Sequence, residues 1–272
     1  MSGAVSFFGG PRPRLFGHRG AAAVAPENTL VSFARAISDG ADYLELDVHA
    51  TADGHVVVIH DPTVDRTTDG TGSVKELTIE ALRRLDAGYR FAGPDGGFPA
   101  RGQGLGIPTL EEVLDAFPHT PLTVEVKQSE PPVAERVAQI LVAYGAAERV
   151  VVAAGNDVIM AGLRPACVAH GIATSFSAGE VAEFVGRVVE RRLAAYRPPA
   201  AALQVPPEWG GIQVITAATV AAAHALGVEV HAWTINEEAE MEQLLALGTD
   251  GIMTDVPALG RSVIARHAAR QE

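Results

Sequence analysis

The sequence predicts one (β/α)8 barrel, the TIM-barrel form of the α/β class, from three observations. Its 272 residues are a length that single α/β barrels commonly reach. Short apolar runs typical of strands alternate with helical patterns over most of the chain. Once one run is assigned to an antiparallel return, eight strands remain, which is the number that this barrel requires. An open, doubly wound sheet is the alternative, because the same alternation permits it.

Nine runs qualify as strands. They are Leu15–Gly17, Tyr43–Val48, Val56–Ile59, Leu122–Val126, Val150–Ala153, Ile172–Ser175, Ala202–Val205, Val228–Trp233 and Gly251–Met253. Val48 and Val56 are too close in sequence for a parallel crossover, which needs about a dozen or more residues. The run from Val56 is therefore predicted to pair antiparallel with the second strand.

A tight turn sets the predicted register of this return. Asp53 and Gly54 form the favoured dipeptide of a two-residue type I′ hairpin turn. Counting outward from that turn places Asp47 opposite His60, at the C-terminal end of the second strand.

Helix signals separate the strands. The apolar spacing of Pro26–Asp39 predicts a helix, and its predicted buried face carries Leu30, Phe33, Ala34 and Ile37. Thr109 and Glu112 have the spacing of a capping box. Two later helices are predicted to be capped by Asn236 and by Asp255.

The stretch from Asp61 to Pro108 fits no single crossover. It is rich in glycine and has one short helical pattern, at Thr78–Leu85. We predict a small insertion after the second strand, over the barrel mouth, rather than a second domain. With the hairpin, this insertion covers approximately residues 49–108 of one barrel domain that extends over residues 12–264.

Composition argues against several classes of function. The chain carries 33 acidic and 21 basic side chains, a formal charge of −12, which disfavours a nucleic-acid partner. No apolar run approaches the roughly 18 residues of a membrane span. Cys167 is the one cysteine, and Met1–Ala4 lacks the charged start of a secretory signal. We therefore expect a cytoplasmic protein with a small-molecule substrate and no integral membrane segment.

Charged residues inside two predicted core strands are the main functional signal. In the second predicted strand, alternation places Glu45 and Asp47 on the face opposite the apolar residues. In a barrel the apolar residues face the helices, so both carboxylates point inward near the C-terminal end, where barrel active sites lie. Glu125 and Lys127 repeat this pattern in another strand. A structural salt bridge between those two residues is the alternative, but the pattern in two strands favours a site.

Three carboxylates at one end of a barrel predict a cation. Like charges that are buried together are costly unless a cation lies between them. Carboxylate oxygens without thiolates or paired histidines favour a hard divalent cation, Mg²⁺ or Ca²⁺, over zinc. Such a cation beside a lysine and an arginine suits a phosphate ester, whose nonbridging oxygens need charge neutralisation.

Two histidines end predicted strands. His18 ends the first strand, and His60 ends the antiparallel return. Either residue alone would more often be structural, but two beside a carboxylate cluster favour a general acid and a general base. His231 is predicted to point inward, as core or as cavity wall. Gln204 is predicted either to face the mouth or to act as a structural amide.

Short motifs in a fixed order extend these predictions. They are His18–Gly20, Pro26–Thr29, Glu45–Asp47, His60–Asp61, Asp65–Gly72, Pro108–Glu112, Glu125–Lys127, Trp233–Asn236 and Gly251–Asp255. Together they resemble the glycerophosphodiester phosphodiesterase family, and the resemblance covers the chain from about Leu15 to Leu259. Each motif is weak alone, whereas the ordered set is specific.

The resemblance implies a TIM barrel with a small insertion after the second strand, and it implies a role for each site residue. The implied ligands of a divalent metal cation are Glu45, Asp47 and Glu125. The implied catalytic residues are His18 and His60. The implied substrate-binding residues are Arg19, Lys127, Trp233 and Glu27, of which the last supports the corner formed by the first histidine and arginine.

The implied reaction is metal-dependent hydrolysis of a glycerophosphodiester to glycerol 3-phosphate and an alcohol, in glycerophospholipid metabolism. By analogy with other barrel phosphodiesterases, we assign His18 as the base and His60 as the acid. One alternative is a lysophospholipase D, in which the same site removes the head group of a lipid and needs an apolar groove at the mouth. Another is a barrel that binds phosphodiesters without catalysis, which would not need two proton carriers.

Overall fold

Eight parallel strands form the barrel. The computed structural model describes residues 6–93 and 95–270, and its strands are β1 (Arg14–His18), β2 (Tyr43–Ala50), β3 (Val56–Val58), β4 (Leu122–Val126), β5 (Val150–Ala153), β6 (Ala173–Thr174), β7 (Ala202–Val205), β8 (Glu208–Trp209), β9 (Ile212–Gln213), β10 (Glu229–Ala232) and β11 (Gly251–Thr254). The barrel order is β6-β5-β4-β2-β1-β11-β10-β7. A single parallel bridge between Ser175 and Ala202 brings β6 to β7 and nearly closes the barrel. The predicted barrel is confirmed, and the open sheet is wrong.

Helices cover the outside of the barrel. They are α1 (Leu30–Ser38), α2 (Ile79–Leu82), α3 (Leu110–Ala116), α4 (Ala134–Ala143), α5 (Asp157–Val168), α6 (Ala178–Val189), α7 (Ala217–Ala225), α8 (Glu238–Ala246) and α9 (Pro257–Ala269). The outward apolar residues of β2, Leu44 and Leu46, are fully buried in the core that these helices complete. The predicted capping box at Thr109 and Glu112 is confirmed, with bonds of 2.8 and 3.1 Å. None of the helices in the described ranges is both long and apolar enough to cross a bilayer.

Helix α1 differs from its prediction in start and in face. It begins at Leu30 rather than Pro26, because the Thr29 side chain caps it. Its buried residues are Ser32, Phe33 and Ala36, whereas Leu30, Ala34 and Ile37 are exposed. A Cβ added at Gly20 would lie 2.3 Å from the Ser32 hydroxyl oxygen. The helix therefore packs so closely at Gly20 that the small side chain of Ser32 faces the barrel there.

The return strand β3 pairs antiparallel with β2 as predicted, but one residue out of the predicted register. Asp47 lies opposite Ile59, whose N–H donates to the Asp47 carbonyl at 3.0 Å, and not opposite His60. The loop has three residues because Thr51 pairs with His55 on both sides of it. The Thr51 hydroxyl accepts from the His55 N–H at 2.9 Å. This bond stabilises a three-residue loop in place of the predicted two-residue turn.

The insertion packs on the hairpin and has a small core of its own. That core consists of Val57, Ile59, Val64, Val74, Leu82, Ala87 and Ile107. Helix α2 lies within the helical pattern predicted at Thr78–Leu85. The insertion reaches the barrel mouth at one corner, where Arg66 binds Glu27 and Asp61. The described residues from 61 to 108 do not line the cavity at the mouth.

A buried ion-pair network closes the N-terminal end of the barrel. Arg14 is fully buried and donates to the two carboxylate oxygens of Glu229 at 2.8 and 2.7 Å. It also donates to the Tyr43 hydroxyl at 2.6 Å, and that hydroxyl donates to the Phe7 carbonyl at 2.6 Å. His231 lies 3.0 Å from the same carboxylate. Each of these charges has a partner, so the network stabilises the closed end.

Candidate active site

Strand register brings the predicted polar residues together at the C-terminal end of the barrel. His18 on β1 pairs with Glu45 on β2, and Asp47 on β2 pairs with Glu125 on β4. Residues paired in adjacent strands share one face of the sheet, so these side chains all point into the barrel. Glu45 and Asp47 are only 4% and 1% exposed. The predicted inward orientation is confirmed.

The three carboxylates form one cluster. One oxygen from each of Glu45, Asp47 and Glu125 lies within 4.8 Å of the others. Burial, followed by the charge of Asp47, raises the pKa of Glu45 to about 8. The cluster therefore holds more negative charge than its surroundings stabilise. Its oxygen donors and this excess charge fit a hard divalent cation such as Mg²⁺ or Ca²⁺.

Two cationic side chains border the cluster. Lys127 Nζ lies 3.2 Å from Asp47 Oδ1 and 2.9 Å from Glu125 Oε2. The salt bridge considered as an alternative is thus present, but it extends to a second carboxylate. Arg19 Nε lies 3.2 Å from Asp47 Oδ2, and its backbone N–H donates to Glu45 at 3.0 Å. Burial lowers the pKa of Lys127, but the charges of Asp47 and Glu125 outweigh it, so the pKa is raised and the ammonium stays charged.

Glu27 supports the arginine corner without lining the cavity. It binds Arg19 at 3.1 Å and Arg66 at 2.7 Å. Arg66 also binds Asp61 at the start of the insertion, so it joins the insertion to Glu27. Sequence reasoning did not single out Arg66, although it lies within the motif Asp65–Gly72.

Each predicted catalytic histidine is paired with a carboxylate in the same way. The Nδ1 atom of His18 lies 2.7 Å from Asp255, and the Nδ1 atom of His60 lies 2.7 Å from Asp61. A carboxylate at Nδ1 holds the proton there and leaves Nε2 available for proton transfer. Burial lowers the pKa of His18, but the hydrogen bond to Asp255 and the charge of Glu45 outweigh it and raise the pKa. Both histidines line the same cavity.

Two residues predicted as helix caps lie at the site instead. Asn236 donates to Asp255 Oδ2 at 2.7 Å and accepts from the Asp255 N–H at 2.9 Å. The caps of α8 and α9 are Glu237 and Val256, and neither makes a side-chain capping bond. The cap prediction is therefore wrong. The signal that could have corrected it is barrel closure, which places the residue after β11 beside His18.

The cavity is polar on one side and apolar on the other. It has a volume of about 640 Å³. Its polar side includes Glu45, Glu125, Lys127 and the two histidines, and its apolar side includes Phe176, Val181, Val205, Pro206, Trp209, Trp233 and Met253. Trp233 lines this cavity and is 41% exposed. Trp209 was missed; it lies on the β8–β9 hairpin, whose Gly210-Gly211 turn was the available signal.

Burial and contacts decide between the alternatives predicted for His231 and for Gln204. His231 is fully buried, so it belongs to the barrel interior and not to the cavity wall. Gln204 lines the cavity and also bonds to Thr123 and His231, so it faces the mouth and bonds within the barrel. His49 was missed; it is buried on β2 and contacts the His60 carbonyl at 3.0 Å through Nε2.

Comparisons with known proteins show the family of the chain. The model of the "Glycerophosphoryl diester phosphodiesterase family" matches residues 18–259. A glycerophosphodiester phosphodiesterase of Caldanaerobacter subterraneus is 32% identical, over 89% of this chain and 94% of that protein. The lysophospholipase D GDPD1 of Mus musculus is 27% identical, over 90% of this chain and 83% of that protein.

Solved structures share the fold. The glycerophosphoryl diester phosphodiesterase domain of a Mycobacterium tuberculosis protein superimposes with a TM-score of 0.81 at 24% identity, over 96% of this chain and all of that domain. A phosphodiesterase of Oleispira antarctica, in complex with sn-glycerol-3-phosphate, superimposes with a TM-score of 0.71 at 25% identity, over 93% of this chain and 97% of that one.

Proposed function

We propose a reaction for this chain from the premise that it belongs to the glycerophosphoryl diester phosphodiesterase family and is a phosphodiester hydrolase. The proposed reaction uses a divalent metal cation and converts glycerophosphodiesters to glycerol 3-phosphate and an alcohol. The observation that carries this proposal is a cluster of three carboxylates beside a cavity that two carboxylate-paired histidines also line. The product named for the Oleispira antarctica neighbour agrees with it. Residues 12–264 are the proposed catalytic domain.

The residues around the cluster would bind the phosphate. Glu45, Asp47 and Glu125 would hold Mg²⁺ or Ca²⁺, which when bound neutralises charge on the nonbridging phosphate oxygens. Lys127 and Arg19 border the same cluster and would bring two fixed positive charges to the phosphate. Glu27 would hold the arginine in place, and Trp233 would contact the alcohol.

The two histidines would move the protons. His18 Nε2 would accept the proton of the nucleophile, which is a water molecule or the adjacent glycerol hydroxyl. His60 would donate a proton to the leaving alkoxide. Asp255 and Asp61 would hold the ring nitrogens in the required tautomers, because each accepts a hydrogen bond from Nδ1. A protein that only binds phosphodiesters would not need either pair.

The metal assignment can be tested on the purified protein. Stripping with chelator should abolish turnover of a panel of glycerophosphodiesters, and adding back one divalent cation at a time should restore it. Glu125→Gln should lose the response to metal, whereas Glu135→Gln, on the exposed face of α4, should keep it. Full turnover in excess chelator, with no metal found by elemental analysis, would show that the assignment is wrong.

A second candidate function, head-group removal from a lysophospholipid, is favoured by the apolar side of the cavity. Trp209 and Trp233 are 52% and 41% exposed at the mouth, where an acyl chain would need apolar contact. The Mus musculus relative is named a lysophospholipase D. This candidate predicts that Trp209→Ala lowers kcat/KM about tenfold for lysophosphatidylcholine but not for glycerophosphocholine, with the exposed Val189→Ala as control. Equal effects on both substrates would exclude it.

The proposal also includes the setting of the reaction. A cytoplasmic location is supported by the single cysteine, Cys167, which is free and buried. A small-molecule substrate rather than nucleic acid is supported by the formal charge of −12.

A further inference from the structure

A chain of hydrogen bonds crosses the barrel interior from its closed end to the floor of the cavity. Arg14 donates to Glu229 at 2.8 and 2.7 Å, and His231 Nε2 lies 3.0 Å from the same carboxylate. On the other side of the ring, His231 Nδ1 lies 3.3 Å from Gln204 Nε2. The same Gln204 nitrogen donates to Thr123 Oγ1 at 3.0 Å. This chain joins a region outside the active site to a residue that lines it.

The chemistry of the chain determines which way the Gln204 amide points. Burial raises the pKa of Glu229, but the hydrogen bonds from Arg14 and His231 outweigh it and lower the pKa to about 2. A carboxylate only accepts hydrogen bonds, so His231 Nε2 must carry the proton. The Gln204 side chain directs its NH₂ group, and not its carbonyl, toward Nδ1 of the ring. An NH₂ group only donates hydrogen bonds, so Nδ1 accepts from it.

The consequence lies on the cavity side of Gln204. Both partners of its NH₂ group are inside the barrel, His231 on β10 and Thr123 on β4. The amide oxygen, Oε1, has no hydrogen-bond partner among the described residues, and the side chain lines the cavity. The cavity floor thus presents a hydrogen-bond acceptor whose orientation is set from below.

We propose that Oε1 of Gln204 accepts a hydrogen bond from a hydroxyl of the substrate's glycerol moiety, and that Arg14, Glu229 and His231 are positioning residues for it. This inference rests on the proposed function. Gln204 lies within β7, whereas Trp209 follows the end of that strand, so the floor is polar and the mouth apolar. Glycerol is common to all glycerophosphodiesters and suits the fixed acceptor. The variable alcohol would then lie toward the tryptophans.

The experiment compares three p-nitrophenyl phosphodiesters, whose second alcohol is glycerol, propane-1,2-diol or propane-1,3-diol. The natural protein should favour the glycerol diester over the analogue that lacks the bound hydroxyl by about tenfold in kcat/KM. In Gln204→Met this ratio should fall close to one, mainly through KM. Gln139→Met, the same exchange on the exposed face of α4, should keep the ratio. If the missing hydroxyl is the nucleophile, its loss lowers kcat/KM by the same factor in the natural protein and in Gln204→Met. Only a difference in the ratio between these two proteins therefore supports the inference.

The positioning residues need a pair of variants. In His231→Leu the amide of Gln204 can rotate, and the ratio should fall as in Gln204→Met. In His231→Asn the side-chain oxygen can replace Nδ1 as acceptor, and most of the ratio should return. A purely structural role would lower the rates for all three diesters together and leave the ratio unchanged. Thermal unfolding of each variant shows whether a lower rate comes from lost stability or from the changed position of the Gln204 amide.

Each outcome decides between supporting and rejecting the inference. Equal kcat/KM for the three diesters in the natural protein, or an unchanged ratio in Gln204→Met, would overturn the inference and leave the proposed function standing. Turnover of none of them would reject both. If Gln204→Met does not fold, inhibition of the natural protein is measured instead. Glycerol 3-phosphate should then bind about tenfold more tightly than propyl phosphate, and equal inhibition would overturn the inference.

Discussion

The two ends of the barrel hold the same kinds of residue in different balance. The closed end holds Arg14 with Glu229, and every charge there has a hydrogen-bonded partner. The open end holds Arg19 with Glu45 and Asp47, and there Arg19 Nε is buried without a hydrogen bond. The pKa of Glu45 at the open end is raised to about 8, whereas the pKa of Glu229 at the closed end is lowered to about 2.

The difference shows that neither residue type nor burial identifies a site. Arginine, histidine and carboxylate that neutralise one another stabilise a fold, and they leave nothing to bind a ligand. Where the carboxylates outnumber the nearby cationic side chains, their repulsion destabilises the ligand-free fold. The same carboxylates can bind a metal cation or take part in proton transfer. The comparison therefore predicts that mutations at the open end mainly change activity, whereas mutations at the closed end mainly change stability.

The largest expected effect is on the histidines of the open end. His18→Ala and His60→Ala should each lose about 10²–10⁴-fold in kcat on glycerophosphocholine, because each removes a placed proton carrier. The exposed His170→Ala should keep full activity. On an aryl glycerophosphodiester, whose leaving group needs no proton, His60→Ala should recover much of its relative rate and His18→Ala should not. The reverse pattern would exchange the two assignments, and equal losses would reject both.

The second effect is on the stability of the closed end. Arg14→Met leaves the buried Glu229 with only a longer ion pair to Arg12, at 3.8 Å, and the contact with His231. The free energy of unfolding should fall by about 3–5 kcal/mol. Arg84→Met removes an exposed pair with Glu80 and should change it by less than about 1 kcal/mol. Denaturant unfolding of both variants measures the difference. A loss of activity in Arg14→Met without a loss of stability would contradict the proposed division between the ends.

The third effect is a pH dependence of the metal-free protein. Because the pKa of Glu45 is about 8 when folded and 4.5 is its ordinary value, the folded state binds the extra proton between these pH values. The stability contributed by that proton is present below pH 4.5 and is lost as the pH rises through 8. Glu45→Gln should remove this loss and be more stable than the natural protein at pH 8, by about 1–3 kcal/mol.

The closed end provides the comparison for that titration. The pKa of Glu229 is lowered to about 2, so its contribution is present above its ordinary pKa of 4.5 and is lost only as the pH falls through 2. Unfolding curves of the metal-free protein between pH 5 and 8 therefore report the open end. An equal slope in the natural protein and in Glu45→Gln would show that the cluster is already neutralised.

The smallest expected effect is at the corner where the insertion meets the mouth. Arg66→Ala removes ion pairs to Glu27 and Asp61, and Arg66 is 47% exposed. The stability should change by less than about 1 kcal/mol, because exposed pairs contribute little. The kcat should fall less than about tenfold, since both histidines stay in place. A loss as large as that of His60→Ala would show that the insertion positions the acid directly.

Much of the fold and the centre of the site could be predicted because period-two alternation is unambiguous in a core strand. A charged residue among buried apolar neighbours can point only inward, so Glu45, Asp47 and Glu125 were located from the sequence. The histidines followed from their positions at strand ends.

The errors have physical causes of three kinds. The predicted buried face of α1 was right at Phe33 and wrong at Leu30, Ala34 and Ile37, because close packing on Gly20 turns Ser32 toward the barrel. The hairpin register was wrong because the Thr51 hydroxyl closes a longer loop. Asp255 was taken for a cap because, where a strand leads into a helix, the same residue type serves equally for capping and for orienting a histidine.

The narrow closure between β6 and β7 gives the barrel a seam. Among the described residues, the backbone joins these strands through the bridge from Ser175 to Ala202 and the hydrogen bond from the Phe176 N–H to the Ala202 carbonyl. We expect a short pairing of this kind to open locally at lower free energy than the long pairing between β2 and β4. Ser175 and Phe176 line the cavity on one lip of the seam, and Gln204 lines it on the other. A substrate that contacts both β6 and β7 would hold the two strands together. The barrel would then be most rigid with substrate bound and most flexible after product release.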